Sequence, residues 1–346
     1  MKRFVLSALV ALASLVRADE IDDMARAEMK ASNSPGLALI VVKDGKVVKT
    51  GTYGIANLET GTEVKAETVF RVASMSKQFC SSAAMLLFQD GKWKLEDPIS
   101  KFLPKAPEAW SKITLRHLLT HTSGMPGFAP SDGFSFRENP SGDRYIDILA
   151  KQKLNFEPGT KFEYSNEGYS ILGILVGKVA GKPLDAFVDE RVLKPLGMTS
   201  TSYYNLERLV PNRSNGYIWD KDHHENAIPL RPYAMAGSGG LQSNILDWVK
   251  WDAALHSETI LSKALKDQIW APAKLNDGQA TSYGFGWVVR KVDGKLVVSH
   301  SGGTAGFTSN VVRHVDAKLT VVVFQNVQGG GAVKLSNDIA AWFLKK

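Results

Sequence analysis

Residues 69–90 read Val-Phe-Arg-Val-Ala-Ser-Met-Ser-Lys-Gln-Phe-Cys-Ser-Ser-Ala-Ala-Met-Leu-Leu-Phe-Gln-Asp, and the way this run divides decides the fold. Val69 to Val72 is β-prone, while Gln78 to Asp90 is an apolar helical segment, so the chain passes from extended to helical backbone at Ser74. Two readings of that serine follow. As an N-cap, its hydroxyl satisfies a free amide of the first turn. As a nucleophile, it lies at the positive end of the helix, with Lys77 one turn on along the same face. Ser74-Met75-Ser76-Lys77 is the only Ser-x-x-Lys in the chain. A lysine on an otherwise apolar helix is desolvated, which favours its neutral, basic form.

Outward from this junction the pattern changes on both sides. Before it, Asp19 to Ser32 reads as a helix, and the β-rich runs Leu37 to Val42 and Lys46 to Tyr53 flank Asp44-Gly45, a hairpin signal. After it come helical segments at Leu115 to Thr120, Tyr145 to Lys151, Glu167 to Val179 and Leu184 to Val192. Strand-like runs return at Gly284 to Val292, Lys295 to Ser299, Thr308 to Val315 and Leu319 to Gln325, with a turn at Asp293-Gly294 and a closing helix at Val333 to Leu344. The expected fold is α+β. First and last strands pair into one antiparallel sheet, contributed by about 19–74 and 234–346, with an inserted helical region of about 75–233 and a cleft between the two. Residues 19–346 are read as a single catalytic domain.

The chain has 346 residues, 44% of them hydrophobic, enough for a large core. Residues 1–18 combine Lys2 and Arg3, the apolar run Phe4 to Val16, and small residues at Val16-Arg17-Ala18, the pattern of a cleaved signal peptide; the expected location is secreted or periplasmic. An uncleaved anchor is the alternative, disfavoured because the run is shorter than a bilayer span. No integral membrane association is expected once the segment is removed. Its loss takes the formal charge from +7 to +4, and the remaining basic residues are scattered among acids, which excludes nucleic acid as the expected partner. A single cysteine, Cys80, cannot form an internal disulfide and reads as a core residue.

Two further stretches carry chemistry. Tyr164-Ser165-Asn166 stands at a loop-to-helix junction after Pro158-Gly159, a position suited to overhang a cleft. A second Tyr-x-Asn, Tyr203 to Asn205, falls in a connecting loop. His300-Ser301-Gly302-Gly303 ends a strand, where glycine lets the backbone approach another chain or a ligand closely.

Taken in order, Ser-x-x-Lys, Tyr-x-Asn and His-x-Gly resemble the penicillin-recognising serine hydrolases: class C β-lactamases, D-alanyl-D-alanine carboxypeptidases, D-aminopeptidases and related esterases. The resemblance covers nearly the whole chain after residue 18. It also takes in Arg116 to Gly124, Glu157-Pro158-Gly159, Pro195 to Met198, Gly239-Gly240-Leu241 and Tyr283-Gly284-Phe285-Gly286-Trp287. It implies a five-stranded antiparallel sheet flanked by helices plus an all-α region. It implies Ser74 as the acylated nucleophile, Lys77 and Tyr164 sharing the proton transfers, and His300 as a fourth catalytic group. Asn166, Ser301 and Gly302 would bind substrate, and the amides of Ser74 and Gly303 would form an oxyanion hole. No cofactor or metal is implied, and the partner is a small ester, peptide or β-lactam. His300 stands where many members have a lysine; histidine is mostly neutral near pH 7 and makes a weaker, pH-dependent anchor for a carboxylate. The expected activity is therefore ester or amide hydrolysis of esterase or D-amino-acid peptidase/carboxypeptidase type. The alternatives are a class C-like β-lactamase and a slowly turning-over penicillin-binding or sensor module.

Other readings are weaker. There is no Gly-x-Ser-x-Gly, which speaks against a Ser-His-Asp hydrolase of the α/β type. His117 and His121 have the i,i+4 spacing of a zinc pair but no intervening glutamate, and a helix-end structural role suits them better. Gly173 and Gly177 read as a close helix contact. Trp248, Trp251 and Trp287 are candidates for the pocket or the core.

Overall fold

The computed structural model describes residues 20–128, 140–228 and 236–345; the expected signal segment, 1–18, lies outside them. The described chain opens with helix α1 over 20–32, then strands β1 (Gly36–Lys43), β2 (Lys46–Asn57), β3 (Thr62–Glu63) and β4 (Phe70–Arg71). Helices α2 (Lys77–Gln89), α3 (Leu115–Leu119), α4 (Gly142–Leu149), α5 (Asn166–Ala180), α6 (Leu184–Val188) and α7 (Lys194–Leu196) follow. Short strands β5 (Ser202–Tyr203), β6 (Tyr217–Asp220) and β7 (His223–Asn226) precede α8 (Ala236–Gly239), β8 (Leu241–Ser243), α9 (Ile245–His256) and α10 (Lys263–Ile269). The chain ends in β9 (Val288–Val292), β10 (Lys295–Thr304), β11 (Phe307–His314), β12 (Leu319–Gln325) and α11 (Ala332–Leu344).

The main sheet has the order β3-β2-β1-β12-β11-β10-β9, and its pairings are antiparallel. First and last strands meet as expected: Leu37 faces Gln325 and Lys43 faces Leu319. Five long strands match the expected sheet; β3 is added at one edge, and at the other the run expected over Gly284 to Val292 forms the short strand β9, which begins only at Val288. Both Asp-Gly turns do what their sequence says. Asp44 and Gly45 have φ of 51° and 73°, and Asp293 and Gly294 have 50° and 76°, the left-handed pair that a tight twisted hairpin requires.

β1 and β12 are central and buried along almost their whole length, because helices cover both faces of the sheet. Alternation divides their side chains. Leu37, Leu39, Val41, Val321 and Val323 pack with Ile21, Leu335 and Ile339 of α1 and α11. Ala38, Ile40, Val322 and Phe324 join the larger core of α2, α5 and α9.

The inserted region is not wholly helical. β5 pairs with β8 and β8 with β4, while β6 and β7 form a hairpin. The polar composition of His223–Asn226 hides the strand alternation there. Inside the helical block α2 is buried from Lys77 to Leu87. α5 approaches α8 through two glycines: a Cβ on Gly173 would lie 3.0 Å from the Gly237 Cα, and one on Gly237 would lie 2.1 Å from the Tyr169 carbonyl oxygen. Only glycine allows that approach, and it is what delivers Ser238 to Lys77.

Candidate active site

Ser74 lies in a single 3-10 turn, Ala73–Ser76, that runs directly into α2. Its neighbours pin the turn from outside. The Ser76 hydroxyl donates to the Ala73 carbonyl (2.6 Å) and accepts from the Leu241 amide (2.9 Å), and the Ser309 hydroxyl donates to the Val72 carbonyl (2.9 Å). Ala73 is left-handed at φ 47°, an uncommon conformation for alanine that persists only where the surroundings impose it. The N-cap reading of Ser74 does not hold, since Ser76 occupies that position and no side chain caps α2. The Ser74 hydroxyl instead meets Lys77 Nζ at 3.2 Å and shares a side-chain hydrogen bond with Tyr164.

Lys77 is fully buried. Besides Ser74, its Nζ donates to Asn166 Oδ1 and to the Ser238 carbonyl, both at 2.8 Å. None of these acceptors carries a charge. Burial therefore dominates and lowers the lysine pKa from 10.5 to about 7, against smaller upward pulls from Cys80 and Glu167. In the neutral amine two hydrogens satisfy Asn166 and Ser238, and the lone pair is left facing Ser74.

Tyr164 and Asn166 are positioned by the start of α5. Ser165 caps that helix, its side chain accepting from the Gly168 amide at 3.0 Å. The Ser165 amide in turn donates to His121 Nδ1 at 3.0 Å. His121, left-handed at φ 59°, lies past the end of α3, so it shares no helix face with His117, whose Nδ1 caps α3 by accepting from the Thr114 amide. The zinc-pair alternative falls with this. Among the described residues no three potential ligands cluster for a metal. The His121 ring centre lies 4.2 Å from that of Tyr164 and 4.6 Å from that of Tyr283. Tyr164 keeps 42% of its surface accessible at the cleft, yet protein surrounds it on most sides. That enclosure raises its phenol pKa above 10, and the Ser74 hydrogen bond opposes the rise.

His300 lines the same cleft with both nitrogens engaged. Tyr283 Oη lies 2.7 Å from Nε2, and Nδ1 lies 2.6 Å from the Ser301 carbonyl. A carbonyl only accepts, so Nδ1 carries the proton and Nε2 accepts from the tyrosine. Burial, then the nearby Lys77, lowers the imidazole pKa to about 3. The ring is thus held neutral and hydrogen-bonded within the protein, which leaves even less of the pH-dependent anchor expected at this position. Ser301 and Gly303 line the cleft with Ser74, but Gly302 does not. It is buried against the Ser74 turn, where a Cβ would lie 2.2 Å from the Val72 carbonyl oxygen. Its placement in the substrate site is corrected accordingly, since its glycine serves packing.

The cleft has a volume of about 400 Å³ and is lined by Ser74, Phe162, Tyr164, Ser282, Tyr283, Val288, His300, Ser301 and Gly303. A larger recess of about 490 Å³ holds the other Tyr-x-Asn, Tyr203 and Asn205, but none of Ser74, Lys77, Tyr164 or His300; Ser74, Tyr164 and His300 line the smaller one. Trp248, Trp251 and Trp287 are each 1% exposed and belong to the core. Cys80 is also core, its thiol pushed up to about 12 by burial.

The family model described as Beta-lactamase matches residues 21–344. The chain belongs to the beta-lactamase family. These are penicillin-recognising serine hydrolases, and the similar proteins fit that description. Penicillin-binding protein 4* of Bacillus subtilis is 30% identical over 309 residues, covering 83% of this chain and 67% of that protein. The octameric penicillin-binding protein homologue of Pyrococcus abyssi superposes with a TM-score of 0.82 at 26% identity, over 95% of this chain and 77% of that one. The D-amino acid amidase of Ochrobactrum anthropi shares the fold, with a TM-score of 0.80 at 24% identity, over 94% and 98%. Among the described residues no helix is long and apolar enough to cross a membrane.

Within this beta-lactamase-family site, sequence reasoning located Ser74, Lys77, Tyr164, Asn166 and His300 and missed His121, Ser238, Tyr283 and Phe162. Tyr283 stood in a quoted motif, but nothing local tied it to His300. His121 stood in the stretch Arg116 to Gly124 and as half of a metal pair, but nothing local tied it to Tyr164 or Ser165. The Ser238 contribution is a backbone carbonyl, which no residue type announces.

Proposed function

We propose that the protein is an exported serine hydrolase that forms an acyl-enzyme at Ser74 and hydrolyses a small ester or amide, of esterase or D-amino-acid peptidase type. The observation that carries this is the neutral-acceptor cage around Lys77, with its lone pair 3.2 Å from the Ser74 hydroxyl. In the forward step Ser74 Oγ attacks the carbonyl carbon and its proton passes to Lys77 Nζ. The tetrahedral oxyanion is held by the amides of Ser74 and Gly303. The bond to the leaving group then breaks, and that group takes a proton from the Tyr164 hydroxyl, which Lys77 replenishes. Water reverses the sequence and frees Ser74. With Asn166 Oδ1 given to Lys77, its Nδ2 hydrogens are what remain for an amide carbonyl oxygen of the acyl donor outside the scissile bond.

Substrate charge follows from His300. A β-lactam or C-terminal peptide carries a carboxylate, and a neutral, internally bonded imidazole gives it no ionic partner. Esters and amides without that group are favoured, and β-lactams are poor substrates.

The test is a panel of p-nitrophenyl butyrate, nitrocefin and a D-alanyl-D-alanine peptide against wild type and Ser74→Ala. Steady ester turnover that disappears in Ser74→Ala supports the reading. A single stoichiometric burst favours a sensor module, and nitrocefin as the fastest substrate favours a β-lactamase.

A further inference from the structure

We propose that the cleft takes an aryl group beside the scissile carbonyl and that Phe162 is the specificity-determining residue. This rests on the acyl-enzyme reading above. Among the described residues Phe162 and Tyr164 are the only aromatic side chains in the set of exposed large apolar ones, at 39% and 42%. They are two residues apart in the loop leading to α5 and both line the Ser74 cleft. Between them Glu163 is fastened elsewhere, its amide to the His121 carbonyl and its carboxylate to Asn155.

The Phe162 ring is oriented by buried neighbours. It stands at 89° to His121, with centres 6.0 Å apart, and at 41° to Tyr283, with centres 5.9 Å apart. An exposed ring already held in place loses little freedom when a ligand covers it. The described lining offers a substrate no ionic partner: it contains no Lys, Arg, Asp or Glu, and both His300 nitrogens are committed. Discrimination is left to apolar contact and ring geometry, which favours an aryl group over an alkyl group of similar size.

The experiment uses esters without a chromophore, followed by pH-stat. Methyl phenylacetate against methyl butyrate places the aryl group on the acyl side; benzyl acetate against butyl acetate places it on the leaving side. Wild type is expected to prefer the aryl member of at least one pair by roughly tenfold in kcat/KM, expressed in KM. Phe162→Ala and Phe162→Leu should both bring that ratio close to 1, and Phe162→Tyr should preserve it. No aryl preference in wild type, or a preference that survives in Phe162→Ala, overturns the inference. Ser74→Ala separates the two levels: if it still cleaves all four esters the acyl-enzyme reading fails as well, whereas its loss of activity without an aryl preference in wild type overturns the specificity alone.

Discussion

Two of the cations buried among the described residues, Arg313 and Lys77, are treated in opposite ways. Arg313, on β11, is 1% exposed and meets Asp252 Oδ1 of α9 at 2.8 Å. Asp252 also accepts from Thr320 at 2.5 Å, and the guanidinium reaches His256 Nε2 at 3.0 Å. Lys77 is buried as completely but receives a hydroxyl, an amide oxygen and a peptide carbonyl, with no carboxylate among them. A counter-ion holds the charge on Arg313, whereas dipoles alone favour the neutral form of Lys77.

Replacing each cation with methionine breaks this contrast most sharply. Lys77→Met should fold and yet lose about 10²- to 10⁴-fold in kcat/KM for a simple ester, the scale of a missing general base. Arg313→Met leaves Asp252 buried without its partner and should lose about 3–5 kcal/mol of stability in denaturant unfolding. Equal stability losses in the two variants would remove the distinction.

Giving Lys77 the counter-ion that Arg313 has is the next test. Asn166→Asp places a carboxylate where Oδ1 now accepts from Nζ at 2.8 Å, and should raise the lysine pKa by about 1–3 units. Activity at pH 7 should then fall about ten- to a hundredfold and recover as the pH rises toward 9. A rate profile that falls without moving would mean that Asn166 acts only on substrate.

Stability carries the same signature with a definite sign. The folded-state pKa of Lys77 is depressed to about 7 from 10.5, so between those values the unfolded chain holds the extra proton and stability rises with pH. The cost of burying Lys77 is greatest below pH 7 and is relieved as pH climbs toward 10. Lys77→Met should therefore be most stabilised relative to wild type near pH 6, with the gap closing by pH 10. A gap that widens with pH would contradict the depressed pKa.

The smallest expected effect concerns substrate charge. His300→Lys should improve a carboxylate-bearing substrate relative to a neutral ester by several-fold, and an unchanged ratio would remove position 300 from specificity.

The sequence made legible what is encoded locally. β-rich apolar runs and two Asp-Gly turns marked the long strands, and the β-to-helix change marked the turn that carries Ser74. It did not show what depends on distant segments converging. His121 supports Tyr164 through the Ser165 amide, Tyr283 fixes the His300 tautomer, and the Ser238 carbonyl reaches Lys77 because Gly173 and Gly237 touch. Each partner lies tens to more than a hundred residues from or within a different element than the group it serves, so no local spacing records it. Gly302 shows the converse error, in which a motif glycine read as substrate-facing serves packing against Val72.

The charge on the Lys77 amine at physiological pH is read by an NMR titration of protein labelled with ¹³C at lysine Cε. One resonance should titrate with a midpoint near pH 7, be absent in Lys77→Met and shift upward in Asn166→Asp. A Lys77 resonance that titrates near pH 10 with the surface lysines would contradict the lowered pKa.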